Sequence, residues 1–239
     1  MICVSHLTKS FEDQVVLNDL SFDIQDGEIV VLLGESGTGK SVLLKHLMGL
    51  ITPDSGTITV DGQEITALKE SELLKVRKKI GYLFQEGALY DFMTVFQNIA
   101  FPLSEHTSLD PKAIRLKVQE ALRLVDLEGV EDKSPTELSG GMKKRVGLAR
   151  SIILDSKILF CDEPTSGLDP IRSRDIMHLI QQIARKLKCT TVIASHDIAN
   201  SFRIADRLIL LKDGKIAATG SVAEIKKFQN TFVQEFITV

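Results

Sequence analysis

Eight residues, Gly34-Glu35-Ser36-Gly37-Thr38-Gly39-Lys40-Ser41, constrain this chain more than any other segment. The run before them, Glu28-Ile29-Val30-Val31-Leu32-Leu33, is short, apolar and partly β-branched, which predicts a buried strand. The run after them, Val42 to Met48, repeats apolar residues every three or four positions and predicts a helix. A glycine-rich turn between a strand and a helix lets backbone N–H groups close around phosphate oxygens, and the helix N-terminus adds its positive dipole end. Lys40 is then placed to reach the β- and γ-phosphates, and the Ser41 hydroxyl to ligate Mg²⁺. The segment predicts a nucleoside triphosphate site.

The rest of the composition suits a soluble globular protein. At 239 residues the chain is long enough for one large α/β domain, or for a core with an inserted subdomain. A net charge of -3 gives no electrostatic case for nucleic acid as the main partner. Cys3, Cys161 and Cys189 lie far apart with no CxxC pair, and the last two sit in apolar surroundings. They are expected to be reduced thiols of a cytosolic protein. No apolar stretch approaches the length of a membrane span, and Met1 to His6 lacks the pattern of a secretory leader.

Along the chain, short strands are expected at Ile2-Val4, Val15-Leu17, Leu20-Ile24, Thr57-Val60 and Gly81-Phe84, with a charged helix from about Ser71 to Lys79. Asp110 is a good N-cap with Pro111 at the first helical position, and Ile114, Val118, Ala121, Leu122 and Val125 mark one apolar face. Beyond residue 157 strands and helices alternate, at Ile158-Cys161, Ile171-Lys188, Thr191-Ala194, a short helix, and Leu208-Leu211. That alternation predicts parallel strands flanked by helices. The basic clusters Arg77-Lys78-Lys79 and Lys143-Lys144-Arg145 read as solvated helix faces, the second with some weight as a local positive field.

Two further segments carry chemistry. Ile158-Leu159-Phe160-Cys161 followed by Asp162-Glu163 describes a buried strand that delivers two carboxylates at its C-terminal end, where ligands of open α/β sheets gather. Asp162 is placed to hold the Mg²⁺ shell and Glu163 to polarise an attacking water. Leu138-Ser139-Gly140-Gly141-Met142 precedes a helix and forms a second potential anion site. One triphosphate does not need two such cradles in one polypeptide. Two copies arranged head to tail would use both, each lending its serine-glycine loop to the other's nucleotide.

This combination resembles the ATP-binding cassette (ABC) ATPases, from Phe11 to about Gly220. The resemblance implies a P-loop NTPase α/β core with a mainly parallel sheet, an N-terminal antiparallel β portion and an inserted helical subdomain from about residue 86 to 153, all within one nucleotide-binding domain of residues 1–239. It implies ATP and Mg²⁺ as cofactors. Phe11 stands where the family stacks an aromatic on adenine, Gln85 matches the Q-loop glutamine at Mg²⁺, and Ser139-Gly140-Gly141 matches the signature motif, with Met142 in place of a commoner glutamine. Ser166-Gly167-Leu168-Asp169 looks like the D-loop, and His196 matches the histidine that contacts the γ-phosphate. His6, His46, His106 and His178 are read as structural.

Phe84, Tyr90, Phe92, Phe96 and Phe101 cluster in a chain with 11 Phe, two Tyr and no Trp. Such a cluster suits either a helical-subdomain core or an interface, and the resemblance places a permease helix against this segment. Gly87-Ala88-Leu89, Met93-Thr94-Val95-Phe96-Gln97-Asn98 and Ala100-Phe101-Pro102-Leu103 look like the ATPases of Mce-associated, Mla-type lipid transporters. The implied assembly is a head-to-tail homodimer on the cytoplasmic face of the inner membrane, bound to a transmembrane permease and an Mce-domain lipid-binding protein. Some such relatives carry a longer C-terminal tail that helps clasp the dimer; here the sequence stops at Thr238-Val239, and that mode of clasping is not expected. An amino-acid or metal-chelate importer is the alternative. A DNA-maintenance or translation ATPase is remote, because no heptad run separates Lys40 from Asp162 and the chain holds one cassette.

Overall fold

The computed structural model describes residues 1–238, which group into two compact units: Met1–Arg77 together with the chain from Thr190 onward, and Lys78–Cys189. The first unit opens with strands β1 (Ile2–Phe11), β2 (Gln14–Ile24) and β3 (Ile29–Leu33), helix α1 (Lys40–Leu47), strands β4 (Ser55–Val60) and β5 (Gln63–Glu64), and helix α2 (Glu70–Arg77). β2, β1, β4 and β5 form an antiparallel sheet in that order, which is the expected N-terminal β portion. The two short strands expected at 15–17 and 20–24 are one strand, β2, paired with β1 from Ile2 opposite Ile24 to Phe11 opposite Gln14. Asn18-Asp19 disguises it. Asp19 takes a left-handed backbone (φ 56°) at a bulge, and its N–H donates to Thr8 Oγ1 at 3.1 Å instead of to the ladder.

The second unit contains β6 (Ile80–Leu83), α3 (Val95–His106), α4 (Pro111–Leu124), α5 (Gly140–Ile152), β7 (Ile158–Asp162) and α6 (Pro170–Leu187). β6 and β7 pair in parallel, Ile80 opposite Ile158. Each helix starts on a cap that the sequence supplies. Thr94 and Gln97 make a capping box for α3, Asp110 accepts from Ala113 N–H at 2.8 Å with Pro111 following, and Asp169 accepts from Ile171 and Arg172 N–H. Val118, Ala121, Leu122 and Val125 are buried as expected, while Ile114 is half-buried.

The chain then returns to the first unit through β8 (Thr190–Ser195), α7 (Ile198–Ile204), β9 (Arg207–Lys212), β10 (Lys215–Gly220), α8 (Val222–Lys226) and α9 (Thr231–Thr238). β3 lies between β8 and β9 and is parallel to both, with β10 antiparallel on the far side of β9. Every residue of β3 and β8 is buried; β3 reads as a continuous apolar run, whereas β8 is apolar only at Val192-Ile193-Ala194, with buried Thr190, Thr191 and Ser195 around them. Burial of each large side chain there contributes about 1.5–3 kcal/mol. The β9–β10 hairpin, unmarked in the sequence reading, turns on Asp213-Gly214, both at positive φ. Val239 lies outside the described residues.

Neither basic cluster is simply a solvated face. The Arg77 guanidinium donates to the carbonyls of Met48 and Gly49 and pairs with Glu70, tying α2 to the end of α1. Lys144 is buried, as set out below.

Candidate nucleotide site

In the first unit, β3 ends at Leu33 and the chain turns through the glycine-rich loop into α1 at Lys40. Gly37 and Gly39 have φ of 84° and 92°, a conformation costly for any residue with a Cβ, and Gly39 stands immediately before the helix. Glu35, Ser36 and Gly37 are exposed, whereas Gly34, Gly39 and Lys40 are buried. The Lys40 ammonium reaches back across the loop, donating to the carbonyls of Gly34 (2.8 Å) and Glu35 (2.9 Å), and Thr38 Oγ1 donates to Glu35 O (2.9 Å). The result is a closed ring of backbone with exposed peptide groups at its rim and a cation at its base. Ser41 follows in the first turn of α1 and is half-buried.

The same unit holds two other expected residues. Phe11 ends β1 with much of its ring exposed, and the Lys9 ammonium lies 5.4 Å from the ring centroid while paired with Asp54. An exposed aromatic beside a cation is a surface onto which a flat base can stack. His196 is exposed directly after the buried strand β8, and the next residue, Asp197, caps α7 through Asn200 N–H at 3.1 Å.

In the second unit, Asp162 is the last residue of β7 and is buried. The Tyr82 hydroxyl, from β6, donates to its Oδ2 at 3.0 Å. Burial and the neighbouring carboxylate push the Tyr82 phenol far above its ordinary range, so it stays a proton donor. Burial likewise raises the Cys161 thiol, and raises Cys189 to about 11; both are inert, protonated thiols. Glu163 follows with a left-handed backbone, φ 46°, which redirects the chain sharply at the strand end. Gln85, after β6, donates through Nε2 to Ser166 Oγ at 3.1 Å, and Ser166 N–H donates to Glu163 O at 3.1 Å. Gln85, Glu163 and Ser166 are thus brought together, and Asp162 stands next to them in the chain.

Ser139 caps α5, its hydroxyl accepting from Met142 N–H at 3.3 Å, with Gly140 and Gly141 opening the first turn. A cleft of about 220 Å³ lies beside them, lined among others by Met142, Arg145, Leu168 and Arg172. A Cβ at Gly140 or Gly141 would find its nearest neighbours at 3.9 and 3.8 Å, ordinary contact distances, and neither glycine has a positive φ. Among the described residues nothing crowds either position enough to require glycine.

Among the described residues no group of three or more His, Cys, Asp or Glu could hold a metal by itself. In the second unit the Asp162 carboxylate and the Gln85 amide are oxygen donors of the kind Mg²⁺ takes, and in the first unit the Ser41 hydroxyl is another; Mg²⁺ keeps waters and takes few protein ligands beside substrate phosphates. Sequence reasoning missed Tyr82 and Lys144. Their partners are distant in the chain, and no local pattern marks a tyrosine on a strand or a lysine in a basic run as buried.

Comparison with known proteins places these features in context. A family model described as "ABC transporter" matches residues 17–166. A "Probable ribonucleotide transport ATP-binding protein" of Mycobacterium leprae is 46% identical over 87% of this chain, which spans 60% of that relative's length. The intermembrane phospholipid transport system ATP-binding protein of Haemophilus influenzae is 39% identical over 99% of this chain and 90% of its own. A methionine import ATP-binding protein of Carboxydothermus hydrogenoformans is 42% identical over 92% of this chain and 67% of its own. A dimeric ATP-binding cassette solved in a post-hydrolysis state with ADP and Pi superimposes with a TM-score of 0.86 at 30% identity, covering 93% of this chain and 99% of that one. With a family match over residues 17–166 and a 39% identical relative covered almost from end to end, this chain belongs to the ABC transporter family.

Proposed function

We propose that the chain is the ATP-hydrolysing subunit of a phospholipid transporter, working as a head-to-tail homodimer on the cytoplasmic face of a membrane through a separate permease, with an Mce-type lipid-binding protein as a further partner. The observation that carries the lipid reading is the nearly end-to-end match to a phospholipid transport ATP-binding protein. The methionine-import relative favours an amino-acid importer as the second reading.

In this reading Gly34, Glu35, Ser36, Gly37, Thr38 and Gly39 cradle the phosphates of ATP and Phe11 carries the adenine. The Lys40 ammonium leaves the loop carbonyls for the β- and γ-phosphates. Ser41, Gln85 and Asp162 offer their oxygens to Mg²⁺, which when bound neutralises charge building up on the phosphates. Glu163 accepts a hydrogen bond from the attacking water and takes its proton, and His196 donates toward the γ-phosphate. Ser139, Gly140 and Gly141 face the nucleotide of the second copy. The room around both glycines supports this: their small size serves something that approaches from outside the chain.

Glu163→Gln keeps size and hydrogen bonding but removes the anionic acceptor. It is expected to bind ATP-Mg²⁺, accumulate as a dimer on size exclusion and lose turnover by about 10²-fold or more. Turnover near wild type excludes Glu163 from the role. For the cargo, a strain lacking the protein is expected to redistribute phospholipid between membranes with methionine uptake intact. A methionine uptake defect with unchanged lipid selects the importer reading.

A further inference from the structure

Helix α5 does more than present the serine-glycine loop. Lys144, one turn in from Gly140, is 4% exposed. Its ammonium donates to two backbone carbonyls, Gln85 O and Glu163 O, the latter at 3.4 Å. Gln85 follows the end of β6 and Glu163 the end of β7, so one cation joins the segments that leave two parallel strands. Two more residues of α5, three and six positions on, hold the same loop. A Cβ at Gly147 would stand 3.1 Å from Gly87 Cα, which places helix and loop backbones in direct contact. Arg150 donates to Gly87 O at 2.8 Å. Lys144, Gly147 and Arg150 lie along one stripe of the helix.

Burying an ammonium is costly, and burial holds the Lys144 pKa below its ordinary value; the fields of Glu86 and Glu163 offset only part of that cost. Methionine would fill the same volume without that cost. A charged side chain at this position serves the position of the carbonyls it holds. We infer that Lys144 is a positioning residue for ATP hydrolysis, which locks the Gln85 loop and the Glu163 backbone to the helix that begins at Ser139. The inference rests on the hydrolysis reading above. Glu163 has a left-handed backbone that relaxes unless its carbonyl is held, and Ser166 N–H and Lys144 both hold that carbonyl. When the serine-glycine end of α5 meets the second copy's nucleotide, Lys144 transmits the displacement of the helix to the two residues next to the reacting water.

The test compares the full chain, purified with its permease, as wild type, Lys144→Met and Lys144→Gln. Lys144→Met is expected to lower kcat by about tenfold or more with KM and the affinity for a fluorescent ATP analogue within about twofold, because an interaction felt at the reacting centre is removed and uniform binding is not. The ATP-Mg²⁺ dimer is expected to accumulate as in Glu163→Gln. Lys144→Gln, which keeps a donor on a shorter side chain, is expected to fall between the two, and it decides by the same kcat-against-KM split if Lys144→Met does not fold. Wild-type kcat in Lys144→Met, or parallel losses of kcat, nucleotide affinity and melting temperature in Lys144→Gln, overturns the inference while leaving the hydrolysis reading intact. A wild-type complex without ATP turnover overturns both.

Discussion

Asn98 offers the sharpest test of how the second unit shapes its aromatic loop. It is a fully buried polar side chain inside α3. Its Oδ1 accepts from Tyr90 N–H at 2.8 Å, and its Nδ2 faces the carbonyls of Tyr90, Met93 and Thr94 at 3.1, 3.2 and 3.0 Å. An amide carries two hydrogens, so at most two of those carbonyls are fully served at once, giving three well-formed bonds in all. Asn98→Leu keeps the volume and removes every one. Orphaning the Tyr90 N–H costs about 1–3 kcal/mol, and each of the other two bonds contributes about 0.5–1.5 kcal/mol. The sum is about 2–6 kcal/mol, which for a chain of this size lowers the melting temperature by about 4–24 °C. Urea unfolding of the full chain followed by circular dichroism measures the change directly, and a fluorescent ATP analogue checks that the Lys40 loop is undisturbed. A loss below about 1 kcal/mol would refute the idea that this side chain organises the Tyr90–Met93 loop.

Two other outcomes follow from the same kind of reasoning. His46 is 1% exposed, its Nδ1 bonded to Val42 O at 2.8 Å and its Nε2 buried without a hydrogen-bond partner among the described residues. Burial, aided by Lys9, holds its pKa below the ordinary 6.5. The unfolded chain therefore takes up a proton near pH 6.5 that the folded chain refuses. Its contribution to stability is complete above that pH and is lost toward the lower folded value, by at most about 1.4 kcal/mol per pH unit. Urea midpoints at pH 7.5 and 5.5 are expected to show a smaller drop for His46→Leu than for wild type; equal drops remove His46 as the cause. Phe92 is 82% exposed, so Phe92→Ala is expected to change stability by no more than about 0.5 kcal/mol while weakening permease binding at least about tenfold. A fall in melting temperature with unchanged binding assigns the ring to packing instead.

What was legible in the sequence was local. The glycine-rich loop, the Asp110 cap, the apolar runs of β3 and β7 and the apolar centre of β8 each rest on neighbours within a few residues, so pattern and structure agree. The residues that organise the candidate site are anchored far along the chain. Lys144 reads as one of three consecutive basic residues, yet its acceptors are 59 and 19 positions away. Tyr82 finds Asp162 across 80 positions, and Arg77 finds Met48 across 29. The aromatic cluster divides in a way that composition cannot foresee. Phe84, Tyr90 and Phe92 are exposed, Phe92 most of all, and Phe96 and Phe101 are half-buried; Tyr90 nonetheless packs against Phe92 and Phe101 and lies beneath Arg150.

The backbone at Glu163 sets folding against turnover. Its φ of 46° belongs to a region that glycine or asparagine enters easily and a residue with a long side chain does not, at a cost of order 1 kcal/mol or more. If the carboxylate is what the reaction needs, the chain retains glutamate at a position where selection for stability alone would favour glycine. A screen that ranks variants by melting temperature would then be drawn toward inactive proteins at this position, and thermostability would be a misleading proxy for fitness there.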